Sequence, residues 1–312
     1  MILKRNFDPR KVGVYVWPQL LVALLWSTVV YVAYVMFGWS FVSAPFGVLG
    51  ILGTALAIFL AFRNNTAFGR WGEASQAWTA ITAASRTFAR LIVTFTDAHA
   101  HTPQYNAEAA AAFKREMVYR HLAWVHALRL QLREQMDVNE LAPYLAEAEV
   151  AALRQAESKT GALLLTQGRR IYDAMAVGIL QGFDSFQLEG QLAALGSQQA
   201  ICERLKLIPV PRQYDYFTQL FVWIFILLTP LSLVGMLVRE GVGFLLAPLT
   251  LLLAFVFAIV QRTGEVNEEP FENRITDVPL SALCRIIERD ARAALGESEL
   301  PPLLPPRDGY LW

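Results

Sequence analysis

The sequence predicts an all-α membrane protein with four transmembrane helices and a large helical block between the second and third. Three observations predict it. The 312 residues are 55% hydrophobic and only 17% charged, whereas a soluble domain carries about 25% charged residues. The charge is segregated: Asp, Glu, Lys and Arg are absent from 12–62, 216–238 and 241–261. Between these runs, residues 63–215 are rich in Ala, Arg, Glu and Gln, as in an ordinary soluble helical protein.

A bilayer core takes about 20 apolar residues as a helix. The first uncharged run therefore holds two spans, 17–37 and 43–62, around a turn at 38–45. The other two hold one each, 216–238 and 242–261, hinged at Arg239-Glu240-Gly241. The chain then divides into 1–62, 63–215, 216–261 and a C-terminal helix and tail, 262–312. The start MILKRNF does not read as a secretory signal, because Arg10 and Lys11 precede the apolar run and no small-residue cleavage site does. Lys4, Arg5, Arg10 and Lys11 flank the first span, the turn after it has no basic residue, and the middle block has many. The positive-inside rule then places both termini and the block in the cytoplasm. A formal net charge of zero gives no reason to expect a nucleic-acid partner. Cys202 and Cys284 fall in cytoplasmic segments and read as small buried apolar residues.

The block is read as helical throughout. Residues 63–97 continue the second span as one long helix, with Ala74, Ala77, Ala80, Ala83 and Ala84 leaving room for close neighbours. A second helix over 107–136 repeats apolar positions at Leu122, Val125, Leu128 and Leu132. A short exposed helix over 139–158 follows, then a pair at 160–181 and 184–207 divided by Gly182-Phe183-Asp184, with Asp184 or Ser185 as N-cap. Ile208-Pro209-Val210-Pro211 ends the block, since proline donates no backbone hydrogen bond and biases the residue before it away from helix. After the fourth span come Arg262-Thr263-Gly264, a polar turn over 267–277, an amphipathic helix over 279–295 and a proline-rich tail. No strand pattern or internal repeat stands out.

Chemistry is concentrated in the second span. Pro45, Gly47, Gly50 and Gly53 open it with small residues suited to close helix packing in lipid. Thr54, Ile58 and Phe62 then fall four apart, on one helix face. Asn64, Asn65, Thr66 and Arg70 follow without a break. Two readings stay open on the residues alone. The helix leaves the membrane at Arg63, whose side chain snorkels to headgroups. Alternatively, one face lines an aqueous pore, an apolar constriction that gates by dewetting and then a wet vestibule. Enzyme motifs are absent: no HExxH, CxxC or Gly-rich phosphate loop occurs. His99 and His101 beside Asp97 read as a polar turn rather than a metal site, and His121 and His126 are five apart and do not share a face. Glu73 and Asp277 are lone carboxylates expected in hydrogen bonds or ion pairs. No cofactor is expected.

The segment FRNNTAFGRWGEA after an apolar second span resembles the signature of the bestrophin family, most closely its bacterial members. CERLKLIPVPRQYDYF, with Cys202, Glu203, Arg204, Pro209, Pro211 and Tyr214, resembles the family's approach to its third span. VNEEPFENRITDVPLSAL resembles its segment after the fourth, so the resemblance covers nearly the whole chain. It implies a homopentameric, passive ion channel in a bacterial inner membrane, with monovalent ions passing one axial pore. Thr54, Ile58 and Phe62 would form its hydrophobic neck, with Asn64, Asn65 and Arg70 as the polar continuation. A cytoplasmic aperture would fall at Val210, or alternatively at Ile208. Thr54 departs from the bulky apolar residue usual at the outermost neck position. Animal members bind calcium after the Pro-Phe pair. The matching stretch here, Glu272-Asn273-Arg274-Ile275-Thr276-Asp277, has two carboxylates around an arginine, which falls short of the six to eight oxygens calcium takes. Resemblance to bacterial members implies cation permeability; the alternatives are an anion (chloride) channel, or a non-conducting scaffold or carrier.

Overall fold

A computed structural model describes residues 1–4, 9–101 and 105–312, with the side chains of 9–12 excepted. Of the basic residues flanking the first span, Arg5 and the side chains of Arg10 and Lys11 thus lie outside the described residues. The described residues form α1 (Pro9–Val35), α2 (Phe46–Ala98), α3 (Ala107–Leu132), α4 (Glu147–Gln155), α5 (Lys159–Ala176), α6 (Gly182–Leu207), α7 (Arg212–Arg239), α8 (Leu246–Asn267) and α9 (Leu280–Ala294). No strand occurs among them; two isolated bridges involve Tyr310. Four helical segments are long and apolar enough to cross a membrane, Gly13–Val35, Ser40–Ala98, Arg212–Arg239 and Gly243–Asn267. They fall on the four expected spans.

The chain folds as two compact units. The first holds 4–71 and 209–269, and the second holds 1–3, 72–208 and 270–312. In the first unit, α1, α7 and α8 pack on one another. Each presents one stripe inward. On α1 it is Val16, Ala23, Ser27 and Val30; on α8 it is Leu246, Thr250, Ala254, Ala258, Gln261 and Gly264. The small members of the α8 stripe let backbones approach, as apolar helices in lipid require. The α2 stripe is Leu49, Leu56, Leu60, Arg63 and Ala67, whose spacing follows the helical repeat. Of the three glycines opening α2, only Gly53 meets a neighbour: a Cβ there would lie 3.0 Å from Cε2 of Phe225.

Helix α8 runs past the expected end of the fourth span, through Arg262-Thr263-Gly264 to Asn267. Gly264 is there for contact, since a Cβ would come within 2.0 Å of the Asn64 Oδ1 atom.

In the second unit α3 is the central helix. Phe113, Met117, Leu122, Trp124 and Leu128 are buried on it, and α5, α6 and α9 pack against it. Helix α9 buries Leu280, Cys284 and Ile287 on one face. Several boundaries differ from expectation. Helix α3 stops at Leu132, and Glu134 takes a left-handed φ of 55°. The expected helix over 139–158 is a 3₁₀ turn, Val138–Tyr144, followed by α4; Pro143, without an N–H, interrupts the ladder. Helix α6 begins at Gly182 rather than 184, and its N-cap is Gln181, not Asp184 or Ser185. Asp184 sits in the first turn, where its carboxylate accepts the Gln181 N–H at 2.8 Å. The two chain ends pair: Leu311 N–H donates to the Met1 carbonyl at 2.8 Å and Leu3 N–H to that of Gly309 at 2.9 Å.

Candidate pore helix and its buried charges

Helix α2 is unbroken from Phe46 to Ala98 because nothing in it interrupts the backbone ladder: it contains no proline. Its first half presents two unlike faces. The stripe ending in Arg63 and Ala67 is buried in the first unit, while Thr54, Ile58 and Phe62 all point outward. Ile58 is 55% exposed and Phe62 71%. Burial on one side and bare apolar rings on the other mean that the outward face is covered by lipid or by another copy, or that it borders a gap.

The polarity of that outward face changes at Phe62. The Thr54 hydroxyl donates to the Gly50 carbonyl of its own helix at 2.9 Å, so it adds no free donor. The Thr66 hydroxyl is likewise turned back, onto the Phe62 carbonyl at 3.1 Å. Beyond Phe62, Asn65 is exposed, with its amide available to water. The other two residues of the expected polar continuation face elsewhere. Asn64 donates from Nδ2 to the Val260 carbonyl of α8 at 2.9 Å, and Arg70 from Nε to the Glu268 carbonyl at 3.0 Å. The structure thus groups Thr54, Ile58, Phe62 and Asn65 on one side of α2, with Asn64 and Arg70 on the side toward α8.

The residues that sequence reasoning missed lie behind this face. Arg63 does not snorkel to headgroups. It is only 7% exposed, with Nη2 2.5 Å from Asp215 at the start of α7 and 3.5 Å from Glu268 at the end of α8. Its Nη1 reaches the Gln261 carbonyl at 3.4 Å. Burial pushes the Glu268 carboxyl above its usual range; the Arg63 charge opposes that rise and Asp215 reinforces it. A signal for this cluster was present in the sequence: Arg63 ends the first uncharged run and Asp215 immediately precedes the second, at ends that topology brings to one side.

The expected aperture residues are Ile208, exposed at the C-terminal end of α6, and Val210, half-buried between the two prolines. Helix α6 is held just before them. The Glu203 carboxylate accepts from Gln131 at 2.9 Å and from Gln199 at 2.8 Å, and Arg204 pairs with Glu73. Lys206 reaches Glu272 at 2.5 Å and Glu134 at 3.1 Å. Asp277 is buried and accepts the Arg274 N–H at 3.0 Å. The two carboxylates of the acidic stretch therefore answer to a lysine and a backbone amide, and no convergent group of metal ligands occurs among the described residues. His99 pairs with Asp184 through Nε2 at 2.7 Å.

Comparison with known proteins agrees with this architecture. The profile described as Bacterial/Fungal Bestrophin protein matches residues 10–293. A voltage-dependent anion channel-forming protein of Escherichia coli O157:H7 is 30% identical over 277 residues, 89% of this chain and 84% of that one. One of the same description from Mesorhizobium japonicum is 28% identical, covering 85% and 79%. The crystal structure of a bacterial bestrophin homologue from Klebsiella pneumoniae superposes with a TM-score of 0.81 at 26% identity, over 91% of this chain and 99% of that one. A four-span helical chain whose second span carries this signature, matched along nearly its whole length, belongs to the bacterial and fungal bestrophin family.

Proposed function

We propose that the protein is a passive ion channel, a homopentamer in the bacterial inner membrane with both termini cytoplasmic. Five copies of α2 surround the axis; Ile58 and Phe62 form stacked apolar rings, and Thr54, smaller than a bulky apolar residue, leaves the outer ring wider. The observation that carries this reading is the outward stripe itself: Ile58 and Phe62 are bare on a helix that buries Leu56, Leu60, Arg63 and Ala67 on another face. An ion passing such rings sheds water or waits for them to widen. Val210, or Ile208, forms a second constriction on the cytoplasmic side. The related proteins named as channel-forming support conduction over a scaffold. A proton-coupled carrier is disfavoured, because the spans 17–37, 43–62, 216–238 and 242–261 contain no Asp, Glu, Lys or Arg.

The sign of the permeant ion is a separate matter. Resemblance to bacterial bestrophins favours cations; the relatives named as anion channel-forming favour anions. The neck carries no charge and dehydrates both. Planar-bilayer currents under a salt gradient test conduction and sign together. A reversal potential at the cation equilibrium supports the first assignment and one at the chloride equilibrium the second. In the same recordings, Ile58→Ala with Phe62→Ala raises unitary conductance; unchanged currents would remove the neck from that pair.

A further inference from the structure

We infer that Arg63, with Asp215 and Glu268, is a latch that fixes the rotational setting of α2 and so holds Phe62 in the neck. The inference rests on the channel reading above and assigns a new role within it. Arg63 is a positioning residue that acts through the ring next to it in sequence.

The geometry is that of a lever with two ends. Around the helix, Arg63 stands about 100° from Phe62, about 140° from Ile58 and about 180° from Thr54. Any rotation that swings Phe62 sideways therefore swings the Arg63 guanidinium by the same angle on the packed side. With side chains reaching about 5–6 Å from the axis, a turn of about 30° moves either group by about 3 Å. Such a displacement separates Nη2 from Asp215, now 2.5 Å away, and from Glu268, at 3.5 Å. The same turn breaks the Asn64 amide bond to the Val260 carbonyl, 2.9 Å long, and lifts Asn64 off Gly264.

The latch gathers three helices. Asp215 belongs to the first turn of α7, Glu268 caps α8, and Gln261 lies about two turns before it. One buried cation answers two carboxylates, so the cluster gains nothing from a second position of α2 in which only one is met. A buried guanidinium moved off its partners is left without solvent to replace them. The ion pairs thus favour one azimuth, because the bonds from Nη2 to the two carboxylates and from Nη1 to the Gln261 carbonyl are directional, whereas the apolar contacts of Leu56 and Leu60 are not.

A double-mutant cycle in planar bilayers tests this, with wild type, Arg63→Gln, Phe62→Ala and the double variant. The expected result is that Arg63→Gln changes unitary conductance or open probability by about threefold or more in the wild-type background, and by little once Phe62 is Ala. Equal changes in both backgrounds overturn the latch, since they place the effect of Arg63 outside the ring. No change from Arg63→Gln, with Phe62→Ala still raising conductance, also overturns it and leaves the neck intact. No change from Phe62→Ala instead removes Phe62 from the neck, and with it the placement on which the latch stands. Arg63→Lys, which keeps the charge and loses the planar guanidinium that reaches three acceptors, and Asp215→Asn give the same cycle if Arg63→Gln does not assemble. Loss of assembly by all three overturns the proposal, because the cluster is then required for folding rather than for the setting of one helix.

Discussion

At the residue scale, most of the polar groups inside the second unit are paired, and two histidines stand out. His121 is fully buried between Phe88 and Trp124, and neither ring nitrogen has a hydrogen-bond partner. His126 stacks on Tyr144, whose hydroxyl lies 3.2 Å from Nε2, beside Glu288, Arg129 and Arg285. Burial pushes both down to about 3 from an ordinary value of 6.5. Both are neutral in the fold, and the unfolded chain takes up their protons first as the pH drops. Their contribution is complete above pH 6.5 and is lost toward pH 3, by about 1.4 kcal/mol per pH unit for each histidine. Thermal unfolding in detergent should show a melting temperature that falls from pH 7 to pH 5, and His121→Leu should make that fall shallower. An identical pH dependence in the variant would refute the assignment. None of this was legible in the sequence, where His121 and His126 showed only a spacing that excluded a shared face.

Elements were far more legible than their ends. Uncharged runs gave all four spans, because a hydrocarbon core tolerates few ionised groups whatever the details of packing. The unbroken second helix was legible too, since no proline or turn signal interrupts 46–98. Where expectation failed, it failed at element ends, which local residue types fix only loosely. Gly264 lies beyond the expected fourth span, and it is the place where α8, still helical, meets Asn64. Asp184 looked like a cap and works from inside the first turn, on the Gln181 amide. Gly264→Ala pushes a methyl into the Asn64 side chain and should cost about 1–3 kcal/mol, as overpacking of a close helix contact does. A lowered melting temperature in detergent checks this; an unchanged one would mean that α2 and α8 separate at no cost. The candidate site divides in the same way. Thr54, Ile58 and Phe62 were readable from helical spacing, whereas the pairing of Arg63 joins residues 152 and 205 positions apart, which no local pattern reports.

At the scale of the whole molecule, the two units have different chemistry. One is built from apolar helices with small residues between them, the other from a buried central helix wrapped by amphipathic ones. The pairing of Met1 with Leu311 joins both chain ends within the second unit. The central claim is that Ile58 and Phe62 border water on the axis of an assembly rather than lipid. The chain offers a quiet background for testing it. Its cysteines, Cys202 and Cys284, are both buried, and burial pushes each thiol up to about 12, where little reactive thiolate exists at neutral pH. Ile58→Cys and Phe62→Cys can therefore be probed singly in planar bilayers with a charged, water-soluble thiol reagent. The account predicts that the reagent alters current through both variants and leaves wild type unaffected; cysteines that stay unmodified, or are modified with no change in current, would contradict it.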